Sequence, residues 1–197
     1  MLKKLLLGTS NPGKQKEMRA LFSRIETPLV TPQDLSLTIH IAETGATYKE
    51  NAIIKARAYA QASGLTVIAD DTGLEVDVLG GAPGLFSARF SPKPNATDAD
   101  RRALLLEKLH GLPRPWTARF TCTMALAHPD GRIFSTAGIC KGEISPVERG
   151  TTGFGYDQIF LIHSLNLTMA EAGMREKNQI SHRSHAAQKM LDILSTL

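Results

Sequence analysis

The stretch Leu65-Thr66-Val67-Ile68-Ala69-Asp70-Asp71-Thr72-Gly73-Leu74 decides how this chain is read. Five residues suited to a buried strand deliver two adjacent carboxylates. Apolar, β-branched runs of this length fit a strand covered on both faces. Asp and Gly are poor strand residues and good turn residues, so the strand is expected to end at Ala69 or Asp70. Adjacent carboxylates repel unless positive charge lies beside them. A divalent cation is the simplest source, and hard oxygen ligands at a strand end suit Mg²⁺ carrying phosphates. The alternative is a pair of aspartates capping a turn or a helix start.

Working outward, residues 5–9 read as a strand, 10–13 as a turn, and 14–24 as a helix with Met18, Leu21 and Phe22 on one face. Residues 47–62 read as a longer helix ended by Gly64. Its apolar stripe is Tyr48, Ala52, Ala56, Tyr59 and Ala60, while Asn51 and Lys55 share another face. The glycines and proline of 80–84 require a loop. Thr97 is the expected N-cap of a helix running to His110, with Gly111 just past its end. Phe120, Cys122, Met124 and Leu126 alternate with polar residues, as in a half-buried strand. Pro129-Asp130-Gly131 turns that strand back into a hairpin partner over 132–140, and a further strand is expected over 141–148. A helix over 184–197 closes the chain, with Ala187, Met190, Leu191 and Leu194 inward. Strands, hairpins and helices mix without strict alternation, so the expected fold is an α/β or α+β arrangement around a mixed sheet, in a single domain over 1–197.

A chain of 197 residues is long enough to bury roughly 70% of its unfolded surface and needs no disulfide or metal staple. The net charge of +4 is modest, and no polybasic run is present. That fits an anionic small substrate and gives no sign of a nucleic-acid partner. The start, Met1-Leu2-Lys3-Lys4-Leu5-Leu6-Leu7-Gly8, faintly resembles a signal peptide, but its apolar stretch is too short, and a first strand is expected instead. No apolar run reaches membrane-spanning length, so no membrane partner is expected. Cys122 and Cys140 belong to no metal-type pair and read as reduced thiols of a cytoplasmic protein.

Four constellations carry chemistry. The first is Thr9-Ser10-Asn11-Pro12-Gly13-Lys14, between a strand and a helix. Backbone N–H groups at a helix N-terminus, with a lysine beside them, suit an anion. The segment 8–14 fits the opening of a phosphate-loop pattern, but Gln15 stands where that pattern needs Ser or Thr for Mg²⁺. A simple Pro-Gly turn into a helix accounts for it equally well. The second is Glu43-Thr44-Gly45 followed by Thr47, Glu50, Asn51 and Lys55. Here Glu43 either reaches a metal shared with Asp71 or belongs to an ordinary capped helix start. The third is Gly150-Thr151-Thr152-Gly153-Phe154-Gly155-Tyr156-Asp157, a glycine-dense loop offering aromatics that can stack a nucleobase or simply pack. The fourth is Lys177 with Ser181-His182-Arg183. A basic helix start opposes the helix dipole, which calls for a compensating anion.

Taken together, TSNPGK (9–14), ETGATYKENAIIKA (43–56), IADDTGLEVDVLGGAPGLFSARF (68–90), GTTGFGYDQIF (150–160) and KNQISHR (177–183) make the chain strongly resemble the inosine triphosphate pyrophosphatase family. These are the Ham1-like pyrophosphatases of non-canonical purine nucleoside triphosphates. Mild departures are Gln158, where the family usually has Pro, and Thr72, where Ser is common. The resemblance implies hydrolysis of ITP, dITP and XTP to the monophosphate and pyrophosphate by a Mg²⁺-dependent, cytoplasmic homodimer that cleans the nucleotide pool. It implies an α/β fold with a twisted mixed sheet, flanking helices and two lobes around a central cleft. It makes Asp71 the general base and, with Glu43, a metal carboxylate. Asp70 is then either a further ligand or the residue that orients Asp71. It assigns phosphate binding to Thr9, Ser10, Asn11, Pro12, Gly13, Lys14, Lys55 and Lys177, with Arg89 a further candidate. It puts Thr72 in the substrate site and surrounds the base with Phe154, Gly155, Tyr156, Asp157, His182 and Arg183. Two other readings compete. One is a Maf-like pyrophosphatase of different base preference; the other is a phosphate-loop regulator without turnover, against which Gln15 argues.

Overall fold

The computed structural model describes residues 3–196. The reading of the extreme N-terminus, and the last residue of the closing helix, lie outside them. A seven-stranded sheet has the order β2-β1-β3-β4-β5-β6-β7. Its strands are β1 Leu5–Leu7, β2 Leu29–Val30, β3 Thr66–Val76, β4 Thr117–Ala127, β5 Ile133–Ile144, β6 Phe160–Ile162 and β7 Leu167–Thr168. β1 pairs in parallel with both β2 and β3, while β6 pairs antiparallel with β5 and β7, so the sheet is mixed as expected. Among the described residues five α-helices accompany it: α1 Pro12–Leu21, α2 Tyr48–Ser63, α3 Asp98–Leu109, α4 Met174–Ile180 and α5 His182–Leu194. None is long and apolar enough to cross a membrane.

The chain divides into two compact units. The first holds the described residues up to Asp71, Cys122–Gly138 and the chain from His182 onward; the second holds Thr72–Thr121 and Ile139–Ser181. In the first unit the sheet is covered on both faces. One face packs Leu5, Leu7, Ile68, Cys122 and Met124 against Met18 and Phe22 of the α1 segment and Ala186, Ala187 and Met190 of α5. The other packs Leu6, Val67, Ala69 and Ala125 against Ala52, Ala56, Tyr59 and Ala60 of α2. The two-residue period of a strand sends Ile68 one way and Val67 and Ala69 the other. In the second unit, Leu105 and Leu109 of α3 pack on Trp116, Phe120, Tyr156 and Phe160.

Local signals placed the ends of α2 and α3 well, whereas α1 runs over Pro12–Leu21 rather than 14–24, because Asn11 caps it with Pro at its first position, and α5 begins at His182 rather than 184. Thr47 caps α2 in a capping box with Glu50, and Gly64 ends it in the left-handed region. Thr97 and Asp100 make a second capping box at α3. Three further expectations are corrected. β3 does not stop at Ala69 or Asp70 but continues through both aspartates to Val76; paired side chains let residues of poor strand propensity stay in the ladder. β4 is not half-buried throughout, because its second half is covered on both faces. The hairpin partner and the separate strand expected after it are one strand, β5. β2, β6, β7 and α4 are too short to carry a readable period.

His128, at the end of β4, is a buried histidine whose Nδ1 lies 3.1 Å from Thr66 Oγ1 and whose Nε2 has no hydrogen-bond partner among the described residues. Burial, helped by the Arg132 charge and opposed by Asp130, holds its pKa below the ordinary value. The imidazole is therefore neutral in the fold, and its contribution to stability is complete above about pH 6.5, the unfolded value, and is lost as the pH falls below it. Urea unfolding at pH 7.5 and 5.5 checks this: His128→Gln is expected to reduce the loss of stability seen in the parent chain on acidification.

Candidate active site

The strand period that separates the two apolar faces also separates the two aspartates. Asp70 follows Ile68 and points toward α1 and α5; Asp71 follows Ala69 and points toward α2. Each carboxylate consequently has its own cation. The Arg183 guanidinium donates from Nη2 to Asp70 Oδ2 at 3.0 Å and from Nη1 to Glu17, with no exposed surface to speak of. Lys14 Nζ stands 3.1 Å from the same Asp70 oxygen. Burial works against the Arg183 charge, but Asp70 and Glu17 overcome it and push its pKa above the ordinary value. This first cluster is balanced: two carboxylates and two cations.

The second cluster is not balanced. Lys55 Nζ donates to Asp71 Oδ1 at 2.8 Å and lies 3.2 Å from Glu43 Oε2, so one ammonium serves two carboxylates. Burial raises the pKa of Asp71, with Lys55 and Lys14 opposing and Glu43 adding to it, and the net shift is upward. Burial works against the Lys55 charge, yet Asp71, Asp70 and Glu43 hold its pKa above the usual value. Asn51, one turn before Lys55 on α2 and buried, donates from Nδ2 to Asp71 Oδ2 at 3.4 Å and accepts the Gly45 N–H at 2.8 Å. It thereby ties the Glu43 segment to Asp71. A Cβ at Gly45 would stand 2.8 Å from Asn51 Oδ1, closer than real contacts come, so this approach requires glycine.

The loop 9–14 is closed by its own side chains. Asn11 accepts from the Lys14 N–H at 3.0 Å as the cap of α1, and Thr9 Oγ1 accepts from the Asn11 N–H at 3.2 Å. Gln15 donates from Nε2 to Thr9 O at 2.8 Å and to Gln33 Oε1 at 2.9 Å, so the residue that breaks the phosphate-loop pattern braces this loop. Ser10, Asn11 and Pro12 are exposed and Gly13 half-buried. His182 and Arg183 open α5 and are buried in the first unit. The anion that a basic helix start calls for is internal here: Glu17 and Asp70 supply it. The base-edge role expected of Arg183 therefore meets a guanidinium committed to two protein carboxylates.

The second unit holds a different group. Lys177, on α4, is buried and donates to Asp157 Oδ2 at 2.8 Å, with its Nζ 5.9 Å from the centre of the Phe154 ring. The Phe154 N–H donates to the same Asp157 oxygen at 3.0 Å. A Cβ at Gly153 would come within 2.0 Å of that oxygen, which explains the glycine. Tyr156 is buried and donates to Ser87 O at 2.9 Å, and Gln158, the departure from the family pattern, donates to Gly150 O at 2.8 Å. Lys177 was expected on phosphate; the structure sets it beside the aromatic. Thr72 continues β3 just after Asp71, and Arg89 is exposed and stacked on Phe86. Asn51, which the sequence places on one face with Lys55, is brought to Asp71 as well; Glu17 was not singled out from the sequence, its signal being an acid next to Met18 on the buried side of α1.

Comparison with known proteins agrees across the length of the chain. The model of the Ham1 family matches residues 5–193. A dITP/XTP pyrophosphatase of Exiguobacterium sibiricum is 43% identical over 194 residues, covering 98% of each chain. One from Desulforamulus reducens is 43% identical, covering 98% of this chain and 96% of the relative. Among solved structures, a HAM1 protein from Coxiella burnetii has a TM-score of 0.88 at 40% identity over 100% of both chains. The Ham1 protein of Staphylococcus aureus has 0.86 at 36%, covering 98% of this chain and 99% of that one.

Arg183→Met leaves Glu17 and Asp70 buried with one cation fewer. It is expected to cost about 3–5 kcal/mol, the usual effect of removing one partner of a buried ion pair. The deficit should shrink as the pH falls and the stranded carboxylates take up protons, since the neutral acids no longer need the guanidinium. Urea unfolding of both chains at pH 7.5 and 5.0 measures it.

Proposed function

The chain belongs to the Ham1 family, and on that premise we propose that it hydrolyses the non-canonical purine nucleoside triphosphates ITP, dITP and XTP to their monophosphates and pyrophosphate. The observation that carries the reading is the arrangement of Glu43 and Asp71 around the single ammonium of Lys55. That cluster carries more carboxylate than cation. Two carboxylates with vacant lone pairs suit Mg²⁺, which prefers one or two protein carboxylates and completes its shell with phosphate oxygens and water. No group of three or more His, Cys, Asp or Glu able to hold a metal is found among the described residues. Glu43 and Asp71 would hold the ion. Bound between these carboxylates, Mg²⁺ would supply positive charge against the phosphates and the leaving pyrophosphate.

The residues then divide the work. Hydrolysis at the α-phosphorus needs a water relieved of its proton, and Asp71, with a raised pKa, is the general base we assign. Lys55 holds that carboxylate in place and lends positive charge to the phosphates. Lys14, together with the loop of Thr9, Ser10, Asn11, Pro12 and Gly13 and the hydroxyls of Thr9 and Ser10, supplies the anion-binding helix start. Lys14 would share its ammonium between Asp70 and a phosphate. Phe154 is the aromatic for the purine, and Lys177, held beside its ring by Asp157, is a donor suited to the 6-oxo group. Adenine presents an amino group there, which cannot accept that hydrogen bond, so ATP forgoes a contact that a 6-oxo purine makes. We further propose a homodimer working in the cytoplasm.

Pyrophosphate release from ITP, dITP, XTP and ATP, with and without Mg²⁺, tests the reading. Release from the first three only in the presence of the metal, with kcat/KM for ATP far lower, is the expected result; equal turnover of ATP would sink it. Asp71→Asn is expected to lower kcat for ITP by ~10²–10⁴-fold, the usual effect of losing a general base, with thermal unfolding little changed. Lys177→Ala is expected to weaken IMP and ITP to a similar degree, whereas Lys14→Ala should weaken ITP much more than IMP; calorimetric titration of the two ligands separates base from phosphate contacts.

A further inference from the structure

The loop that carries Phe154 contains three glycines within six residues, Gly150, Gly153 and Gly155. Such a loop is costly to order, because glycine loses more backbone freedom on fixing than any other residue. Gly155 itself has φ +62° and no side chain by which it could be held. Its peptide groups are held instead. The Gly155 N–H donates to Asp98 Oδ2 at 2.7 Å, and the Gly155 carbonyl accepts from Arg102 Nη1 at 2.9 Å. Both partners come from the first turns of α3, over fifty residues away in sequence.

Both partners are fixed in turn. Asp98 Oδ1 accepts from Arg101 Nη2 at 2.6 Å, and Arg101 Nη1 donates to Ala96 O at 2.8 Å. Arg102 is buried and grips Glu148 with two parallel bonds, Nε to Oε1 at 2.8 Å and Nη2 to Oε2 at 3.0 Å. Burial raises the Asp98 pKa, but Arg101 and the Gly155 N–H outweigh it, so this carboxylate stays ionised at neutral pH. Bonds in which one partner is charged are shorter and about twice as strong as neutral ones. One glycine peptide thus receives a negative acceptor on its N–H and a positive donor on its carbonyl. Phe154 precedes it directly, with its own N–H on Asp157.

We propose that Asp98 and Arg102 are positioning residues for nucleoside binding: by clamping both polar groups of Gly155 they fix the Phe154 ring in the orientation that receives the purine. This rests on the reading that Phe154 takes the base. The clamp touches no substrate atom. It acts by removing the loop's ordering cost before the ligand arrives, which appears in affinity.

The test compares ligands with and without a base. Asp98→Ala, Asp98→Asn, Arg102→Met and Phe154→Ala are titrated with IMP and with inorganic pyrophosphate, and thermal unfolding is recorded for each. Asp98→Ala and Arg102→Met are expected to weaken IMP about tenfold, the scale of one lost charge-assisted hydrogen bond. Pyrophosphate affinity should stay at its parent value. Asp98→Asn keeps an oxygen for the Gly155 N–H and should recover most of the IMP affinity. If Phe154→Ala weakens IMP while the clamp variants do not, the positioning role is overturned and the base-site reading stands. If Phe154→Ala leaves IMP affinity untouched, the base-site reading itself falls and the inference with it. Equal weakening of IMP and pyrophosphate would make the α3 contacts a general structural support and also overturn the proposal.

Discussion

Successive side chains of a strand point to opposite faces, and in β3 that period falls between two neighbouring carboxylates. Asp70 and Asp71 are adjacent in the chain and separated by the sheet. Each has its own hydrogen-bonded cation, Arg183 for Asp70 and Lys55 for Asp71, while Lys14 acts on both. Asp70 is neutralised within the protein by Arg183 and Lys14, with Glu17 completing a charge-balanced cluster. Asp71 shares Lys55 with Glu43, leaving negative charge in excess. The first cluster holds helices and strand together; the second is the one to which we assign Mg²⁺ and proton transfer. The division of labour between two identical side chains follows from strand geometry together with the cations each face supplies.

The buried guanidinium of Arg183 joins three elements remote in sequence: α1 through Glu17, β3 through Asp70 and α5 through its own backbone. Its desolvation is tolerable only because two carboxylates meet it. Asn51 does the same on a smaller scale on the other face, linking α2 to β3 and to the Gly45 peptide. In the second unit the equivalent task falls to Asp98, Arg102, Asp157 and Lys177, which hold a loop that has few side chains of its own to pack. Charged groups in this protein are spent largely on fixing backbone and other charged groups.

Much of the fold could be read locally. Thr47, Glu50 and Gly64 bounded α2, and Thr97 and Asp100 opened α3, because capping depends on residues within one turn. The end of β3 could not be read that way. Asp and Gly argue for a turn on propensity, and only the partners supplied by α1, α2 and α5 keep them in the ladder. The shorter strands and α4 hold too few residues to show any period.

Sequence by itself settled the family, the mixed α/β class and the caps of α2 and α3, all of which depend on identity and short-range spacing. It could not say where the charges meet. Arg183 read as a group for the substrate and is bound to Glu17 and Asp70; Lys177 read as a phosphate contact and stands beside Phe154; Asp98 and Arg102 read as part of an ordinary helix and hold Gly155. Those partners lie 23 to 166 positions apart along the chain. Tertiary structure alone decided them, because a side chain's protonation and orientation depend on which charges lie within a few ångströms, and that distance is set by packing rather than by spacing in sequence.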